Sequence, residues 1–406
     1  MGRTGDGTAF GKEPMNDGTA FGKEPVNDGI HGMLPREEMS EKAKKIRDLY
    51  GIVPNAPFIQ REFGFFSYER WEKEGHIASY EDISRDGGLE EWGKHSLGGI
   101  GWCEAAFEPV FEEKILEDRG DYELVQDFAG RGVLCFKGRR SGFMPEYVTH
   151  PVTDTASWLE NCKWRMNPRD PARYADLDRR METAVAAAKR GEFITQNLVG
   201  GYMYLRSLIG PEGLLYMFYD APELVHDCME TWFLLADEVT SRHQKYVSLD
   251  EVFIGEDICY NHGSLISPDM IREFLFPYYK KLLENAKKRQ IDKERHLYFQ
   301  VDTDGYCMDV LPLYMNELGM DVMSPFEAAS NCDVVAAGRE YPNLVMTGGF
   351  DKRILAKGKA AIDAEVDRIF PVMKKRGGYM PTCDHGVPEE VNYGDWVHFR
   401  KRCMEF

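Results

Sequence analysis

The chain has 406 residues, 43% of them hydrophobic, and a formal net charge of −18. That length and apolar fraction suffice to bury a sizeable core on the scale of one elaborated barrel domain. A surface this acidic repels phosphate backbones and anionic headgroups, which sets nucleic acid and membrane surfaces aside as partners.

No apolar run approaches the ~20 residues of a membrane span. No basic start leads into an apolar stretch, so no secretory signal is expected. The nine cysteines include no CxxC pair. That argues against a disulfide framework or a structural zinc site, and for a reducing, cytoplasmic setting.

The sequence DGTAFGKEP occurs at Asp6–Pro14 and again at Asp17–Pro25. It holds almost nothing with which to bury a core, so residues 1–32 are expected to form a disordered tail. Pro35–Tyr50 has a helical pattern, and Ala56–Phe66 reads as the first strand. A further strand is expected near Gly99–Ala105. Residues 111–137 read as an antiparallel β-meander punctuated by Gly-Asp and Ala-Gly-Arg-Gly, an insertion on the larger fold. Trp158–Arg190 is helical with a break at Pro168 and Pro171.

Strand and helix then alternate regularly. Strands are expected at Phe193–Val199, Glu251–Glu256, His296–Asp302, Met320–Met323, Asn343–Gly348 and Gly378–Thr382. Helices are expected at Pro268–Ala286, capped by Ser267, and at Ala360–Lys375. About eight strands with intervening helices give an α/β fold, a (β/α)8 TIM barrel over residues 33–406. A doubly wound sheet is the alternative, weakened by the lack of GxGxxG after the first strand.

The chemistry-bearing residues cluster after strands, where barrel enzymes keep their sites. Asp302 and Asp304, two apart in an extended segment, point to one side. Two such carboxylates imply a metal, a bound cation, a hydrogen-bonding substrate or a shared proton; the plainer alternative is a DxDG turn capping backbone N–H groups. His385 and Asp384 follow the last strand. Glu256 and Asp257 end the strand EVFIGED as candidates for acid–base work, unless one caps a helix. Arg61 sits in an otherwise apolar strand and needs an anion, from the protein or from a substrate carboxylate. Trp71, Trp92, Trp102, Tyr202 and Tyr204 could line an apolar pocket, although aromatics more often simply pack a core.

Three segments together resemble the uroporphyrinogen decarboxylase superfamily, which also holds cobalamin- and coenzyme-M-linked methyltransferases. GEDICYNHGSLISPDMIREFLFPYYKKL is similar to the family's acidic strand end, Leu-Ser-Pro helix start and Phe-x-x-Pro-Tyr. GGFDKRILAKGKAAIDAEVDRI, with Asp351, is similar to its Gly-Gly-hydrophobic-Asp segment. CDHGVP is similar to its terminal Gly-His-Gly loop. The resemblance runs from about Val53 to the C-terminus and implies a (β/α)8 barrel with its pocket at the C-terminal face. Arg61 matches an arginine that holds substrate propionates in the decarboxylase, while Phe65 stands where a second arginine would be. His385 matches the decarboxylase histidine. In the methyltransferases a His-x-Cys and a late Cys bind zinc; the matching positions here are Asp302, Asp304 and His385.

The resemblance therefore implies an enzyme, either methyltransferase-like or decarboxylase-like. The leading expectation is a demethylase-type enzyme passing a methyl group from a small substrate to a corrinoid protein. In it Asp302, Asp304 and His385 form a polar or divalent-metal centre, Glu256 or Asp257 acts as acid or base, and Arg61, Tyr202, Tyr204 and Asp351 contact substrate. The alternatives are a metal-free decarboxylase of a carboxylated small molecule and a barrel that only binds a ligand.

Overall fold

The structure, a computed structural model, describes residues 31–139 and 145–406. In chain order the strands are β1 (Lys94–Leu97), β2 (Lys114–Arg119), β3 (Tyr122–Gln126), β4 (Gly132–Phe136), β5 (Glu146–Thr149), β6 (Phe193–Val199), β7 (Glu251–Gly255), the two-residue β8 (Cys259–Tyr260) and β9 (Gly263–Ser264), β10 (Tyr298–Asp302), β11 (Val322–Phe326), β12 (Val345–Phe350) and β13 (Tyr379–Cys383). β1, β6, β7, β10, β11, β12 and β13 form one sheet in that spatial order, and every pairing in it is parallel. The order never reverses, so the sheet winds in one direction and has no topological switch point.

Strands buried on both faces explain the near-continuous apolar runs: β11, β12 and β13 are buried at every position. Helices including Pro222–His243, Phe276–Arg289 and Lys359–Arg376 supply the outer layer.

Ala56–Phe66, expected as the first strand, is not a regular strand but runs beside the end of β13. Phe66 N–H donates to Val387 O (3.0 Å) and Val387 N–H to Gly64 O (2.9 Å), with one parallel bridge between Phe65 and Val387. Lower down, Cys383 N–H is taken by the Glu62 carboxylate (3.0 Å). A side chain thus fills the place of a neighbouring strand's carbonyl. On the other side Glu90 N–H donates to Gln60 O (2.9 Å).

Two further expectations change for local reasons. The strand near β1 lies at Lys94–Leu97 rather than Gly99–Ala105, because Gly99 (φ 99°) and Gly101 (φ 77°) turn the chain there. The helix starting at Pro268 ends at Phe274 and resumes over Phe276–Arg289. Pro277 lies in the first turn of that second helix, where its missing N–H and ring are tolerated.

β2, β3, β4 and β5 form a separate antiparallel sheet, one strand more than residues 111–137 alone suggest. The tandem repeat and the expected tail up to residue 30 lie outside the described residues. At its end His31 is buried, its carbonyl accepting from Arg295 (3.4 Å). Among the described residues no helix is long and apolar enough to cross a membrane, and all nine cysteines are free thiols.

Candidate active site

One cavity of about 690 Å³ touches all seven strands of the parallel sheet. Its lining takes alternate positions: Lys94 and Ser96; Thr195 and Asn197; Glu251, Phe253 and Gly255; Gln300 and Asp302. Side chains of a strand alternate between faces, so these residues share the inner face while Val252, Ile254, Phe299 and Val301 pack outward. Leu49 and Tyr50 of helix Glu41–Tyr50 also line it, and Phe63 to Phe66 contribute from the segment beside β13.

The floor is a buried polar cluster. The Lys94 ammonium pairs with Glu251 Oε2 at 2.8 Å and donates to the Tyr50 hydroxyl. Tyr50 in turn donates to Glu251 Oε1, and Thr195 Oγ1 donates to Oε2 at 2.8 Å. Burial pulls the Lys94 pKa below its ordinary value, against the opposing pull of Glu251. Gln300 Oε1 accepts from Lys94 (3.3 Å) and lies 3.1 Å from the Tyr50 hydroxyl, and its Nε2 donates to Ser324 Oγ (2.7 Å). Ser324 then donates to Asp302 Oδ2 (2.5 Å). A continuous chain of hydrogen bonds therefore joins floor to mouth. None of these floor residues stood out in the sequence, because a lone Lys, Thr or Gln inside a strand carries no spacing signal.

At the C-terminal ends of the strands the cavity is lined by Asp257, Asp302, Asp304 and His385. Thr303 between the two aspartates points the other way, fully buried, and its Oγ1 accepts from Ile258 N–H (3.0 Å) and Cys259 N–H (3.1 Å). That anchor fixes Asp302 and Asp304 on the lumen side. Burial pushes the Asp302 carboxyl up to about 7, opposed by the Ser324 hydrogen bond. Asp304 is also raised, chiefly by burial and against the pull of His385. His385 Nε2 lies 3.7 Å from Asp304 Oδ2, and its ring stacks on Phe66 with centroids 5.7 Å apart.

Asp257 adopts a left-handed backbone (φ 45°). The turn lets its side chain both line the lumen and pair with Arg206 on helix Gly201–Ile209. Its neighbour Glu256 points away from the cavity and is fully buried. Glu256 accepts from Tyr279 OH (2.5 Å) and from Tyr202 N–H (3.1 Å) in the first turn of that helix. Burial pushes it up to about 7. Glu256 thus serves as a helix cap and a brace for Tyr279 in this arrangement.

Other sequence-selected residues also lie off the lining. Tyr202 and Tyr204 are buried in the core, Tyr204 donating to Cys228 O (3.1 Å). Asp351 caps the helix starting at Lys352 and accepts from Arg353 N–H (2.8 Å). Asp384 is buried and accepts from the N–H groups of Lys352 (3.1 Å) and Ala329 (3.2 Å). Arg61 lies with its guanidinium 5.3 Å from the Trp92 ring centroid and donates to Glu90 O (3.2 Å). Of the tryptophans, Trp92 and Trp102 reach the cavity and Trp71 is core.

The expected divalent-metal centre does not assemble. Among the described residues no group of three or more His, Cys, Asp or Glu side chains is placed to hold an ion. Asp302, Asp304 and His385 share a cavity, and of the three only Asp304 and His385 come within ion-pairing distance of one another.

No curated protein matches the chain. Among solved structures it is similar to a methyltransferase from Methanosarcina mazei, at 14% identity and a TM-score of 0.51, over 90% of this chain and 98% of that one. It also matches a GH18 chitinase from Pseudoalteromonas aurantia (14%, TM-score 0.32, 55% of this chain and 79% of that one). A xylanase B from Clostridium stercorarium F9 matches at 13%, with a TM-score of 0.31, over 52% and 72% of the two chains. The first likeness, at that identity, bears on the fold alone. The family model for uroporphyrinogen decarboxylase (URO-D) matches residues 188–405, over half of the chain, from just before β6 to the C-terminal helix. That stretch contains the acidic strand end, the two lumen aspartates and the His385 loop, and on this match the chain belongs to the uroporphyrinogen decarboxylase (URO-D) family.

Proposed function

We propose that the chain is an enzyme of the methyltransferase type within this superfamily, moving a methyl group from a small substrate to a corrinoid protein. Its scaffold would be a (β/α)8 barrel with Ala56–Phe66 in the eighth strand's place, and its setting the cytoplasm. The observation that carries the reading is the meeting of Asp302, Asp304 and His385 at the strand C-termini, around one cavity large enough for a small ligand. The name of the Methanosarcina neighbour, a methyltransferase, points the same way.

When bound, the corrinoid supplies the nucleophile that takes the methyl group. The work left to this chain is to hold the methyl–heteroatom bond and to set the charge on the heteroatom. The heteroatom departs with the bonding pair, and it leaves well only when it is cationic or receives a proton. Asp302, poised near neutrality by burial, can hold or give that proton, and Asp304 with His385 can orient the group. Asp257, fixed by Arg206, shapes the mouth.

The test is anaerobic incubation of the full chain with methylated amines, ethers and thioethers and reduced cobalamin. Methylcobalamin should form at a rate that falls at least tenfold in Asp302→Asn. No methyl transfer from any of the three classes would overturn the reading. The family match favours a second one, decarboxylation of a carboxylated small molecule. That reading predicts carbon dioxide release without cobalamin.

A further inference from the structure

The cavity also bears on the substrate, and the inference here rests on the methyl-transfer reading. Charge around the lumen is uneven. At the floor Glu251 has Lys94 as partner, and at the mouth Asp257 has Arg206. Lys94 is the one Lys or Arg among the described residues that touches the cavity, and it is already engaged by Glu251, Tyr50 and Gln300. Asp302 and Asp304 face the lumen with the Ser324 hydroxyl on Asp302 and the His385 imidazole 3.7 Å from Asp304 as their nearest side-chain partners, Lys352 acting on Asp304 from farther off. The rest of the lining includes the aromatic rings of Phe63, Phe65, Phe66, Trp92, Trp102 and Phe253. Trp102 and Phe253 stack in parallel with centroids 5.6 Å apart. Phe66 and Trp102, 65% and 56% exposed, offer uncovered ring surface at the opening.

We propose that the substrate is an organic cation, an N-methylated ammonium with an apolar body, its nitrogen beside Asp302 and Asp304 and its body against Trp102, Phe253 and Phe66. Carboxylates and ring faces are the two surfaces that attract a weakly hydrated ammonium. An anionic substrate meets two like charges in the same space and finds no unpaired cation on the wall. Burial holds both carboxyls above their ordinary value, and for Asp304 it outweighs the opposing pull of His385 and Lys352.

The chemistry is consistent with this choice. The C–N bond breaks with its electron pair staying on nitrogen, and the methyl group goes to the corrinoid nucleophile. The nitrogen enters positive and leaves as a neutral amine, so no proton has to move in the step. A neutral methylamine would have to expel an amide anion instead.

The experiment compares three probes of one shape on the full chain by calorimetry: choline, its carbon isostere 3,3-dimethylbutan-1-ol, and 3,3-dimethylbutanoate. Choline should bind at least tenfold more tightly than the alcohol, and the carboxylate most weakly. The preference should fall about tenfold in Asp304→Asn, and Trp102→Ala should weaken choline binding at least threefold with an unchanged circular dichroism spectrum. Equal affinity for choline and the alcohol, tighter binding of the carboxylate, or no binding of any probe overturns the proposal. Choline binding without methyl transfer would retain the ligand class and sink the transferase reading. Methyl transfer from a neutral ether, with no preference for choline, would do the reverse.

Discussion

Ser324 donates its proton to Asp302 Oδ2 at 2.5 Å, and the direction of that bond is set at the opposite end of the cavity. An ammonium has donors only, so Lys94 obliges Gln300 to turn its amide oxygen toward it. The amide nitrogen then faces Ser324 Oγ at 2.7 Å, which leaves the Ser324 proton no better direction than Asp302. A donor fixed on one oxygen favours the carboxylate form. Ser324→Ala removes it, and a hydrogen bond to a charged group contributes roughly 1.5–3 kcal/mol. The Asp302 pKa, already near 7, should move further up, and the matching limb of the pH–rate profile should move to higher pH. A carbon-13 NMR titration reads the group directly. An unchanged titration would mean that the floor does not control the mouth.

Stability should depend on pH through two buried carboxyls. Asp302 and Glu256 are both pushed up to about 7 by burial. Each binds its proton more tightly folded than unfolded. The stabilisation is therefore complete below the unfolded value and is lost as pH rises through about 7. Each group can contribute a slope of up to about 1.4 kcal/mol per pH unit across that window. The melting temperature should fall between pH 5 and pH 8. Glu256→Gln, neutral throughout, should flatten that fall whatever its effect on the absolute value.

The alternation of strands and helices was legible because its signals are local. β6 runs over Phe193–Val199 as its β-branched and apolar run predicts. Ser267 accepts from Met270 N–H (3.2 Å) at the helix start its sequence marks. Asp302, Asp304, Asp257 and His385 were legible because strand ends in α/β folds carry sites. Their sharing of one lumen follows from the curvature of the sheet. Glu256 and Asp257 could not be told apart in sequence. Only the left-handed turn at Asp257 separates the residue that lines the cavity from the one that caps a helix. The floor cluster joins residues up to 250 positions apart, as in Tyr50–Gln300, so no local pattern announces it. The irregular course of Ala56–Phe66 likewise depends on a side chain, Glu62, taking a backbone N–H.

Arg61 is expected to act in packing. Its guanidinium lies over the Trp92 ring and bonds to Glu90 O, and it is not part of the lining. A cation–π contact of this kind is worth about 0.5–1 kcal/mol. Arg61→Met should keep the fold, lose on the order of 1 kcal/mol in urea unfolding, and change the affinity of a cavity ligand less than threefold. A tenfold loss of affinity in a variant of native stability would show that the guanidinium reaches the ligand after all.

The docking of Ala56–Phe66 beside β13 should depend on Arg400. Its side chain and that of Glu62 are both fully buried and 3.1 Å apart. Arg400 also donates to Gln60 Oε1 (2.7 Å) and Arg61 O (3.0 Å), so one guanidinium from the C-terminal helix holds three successive residues of the Ala56–Phe66 segment. Burial alone would raise the Glu62 pKa strongly, and Arg400 opposes that rise. Arg400→Met therefore leaves a buried carboxyl without its counter-charge, a loss of about 3–5 kcal/mol. Glu62→Gln can still accept from Cys383 N–H, so adding it to Arg400→Met should restore part of that loss. Urea unfolding of the two single variants and the double variant measures the coupling. Costs that simply add would mean the pair is not what fastens this segment, which would then have to be held by its backbone bonds to Val387 and Glu90 alone.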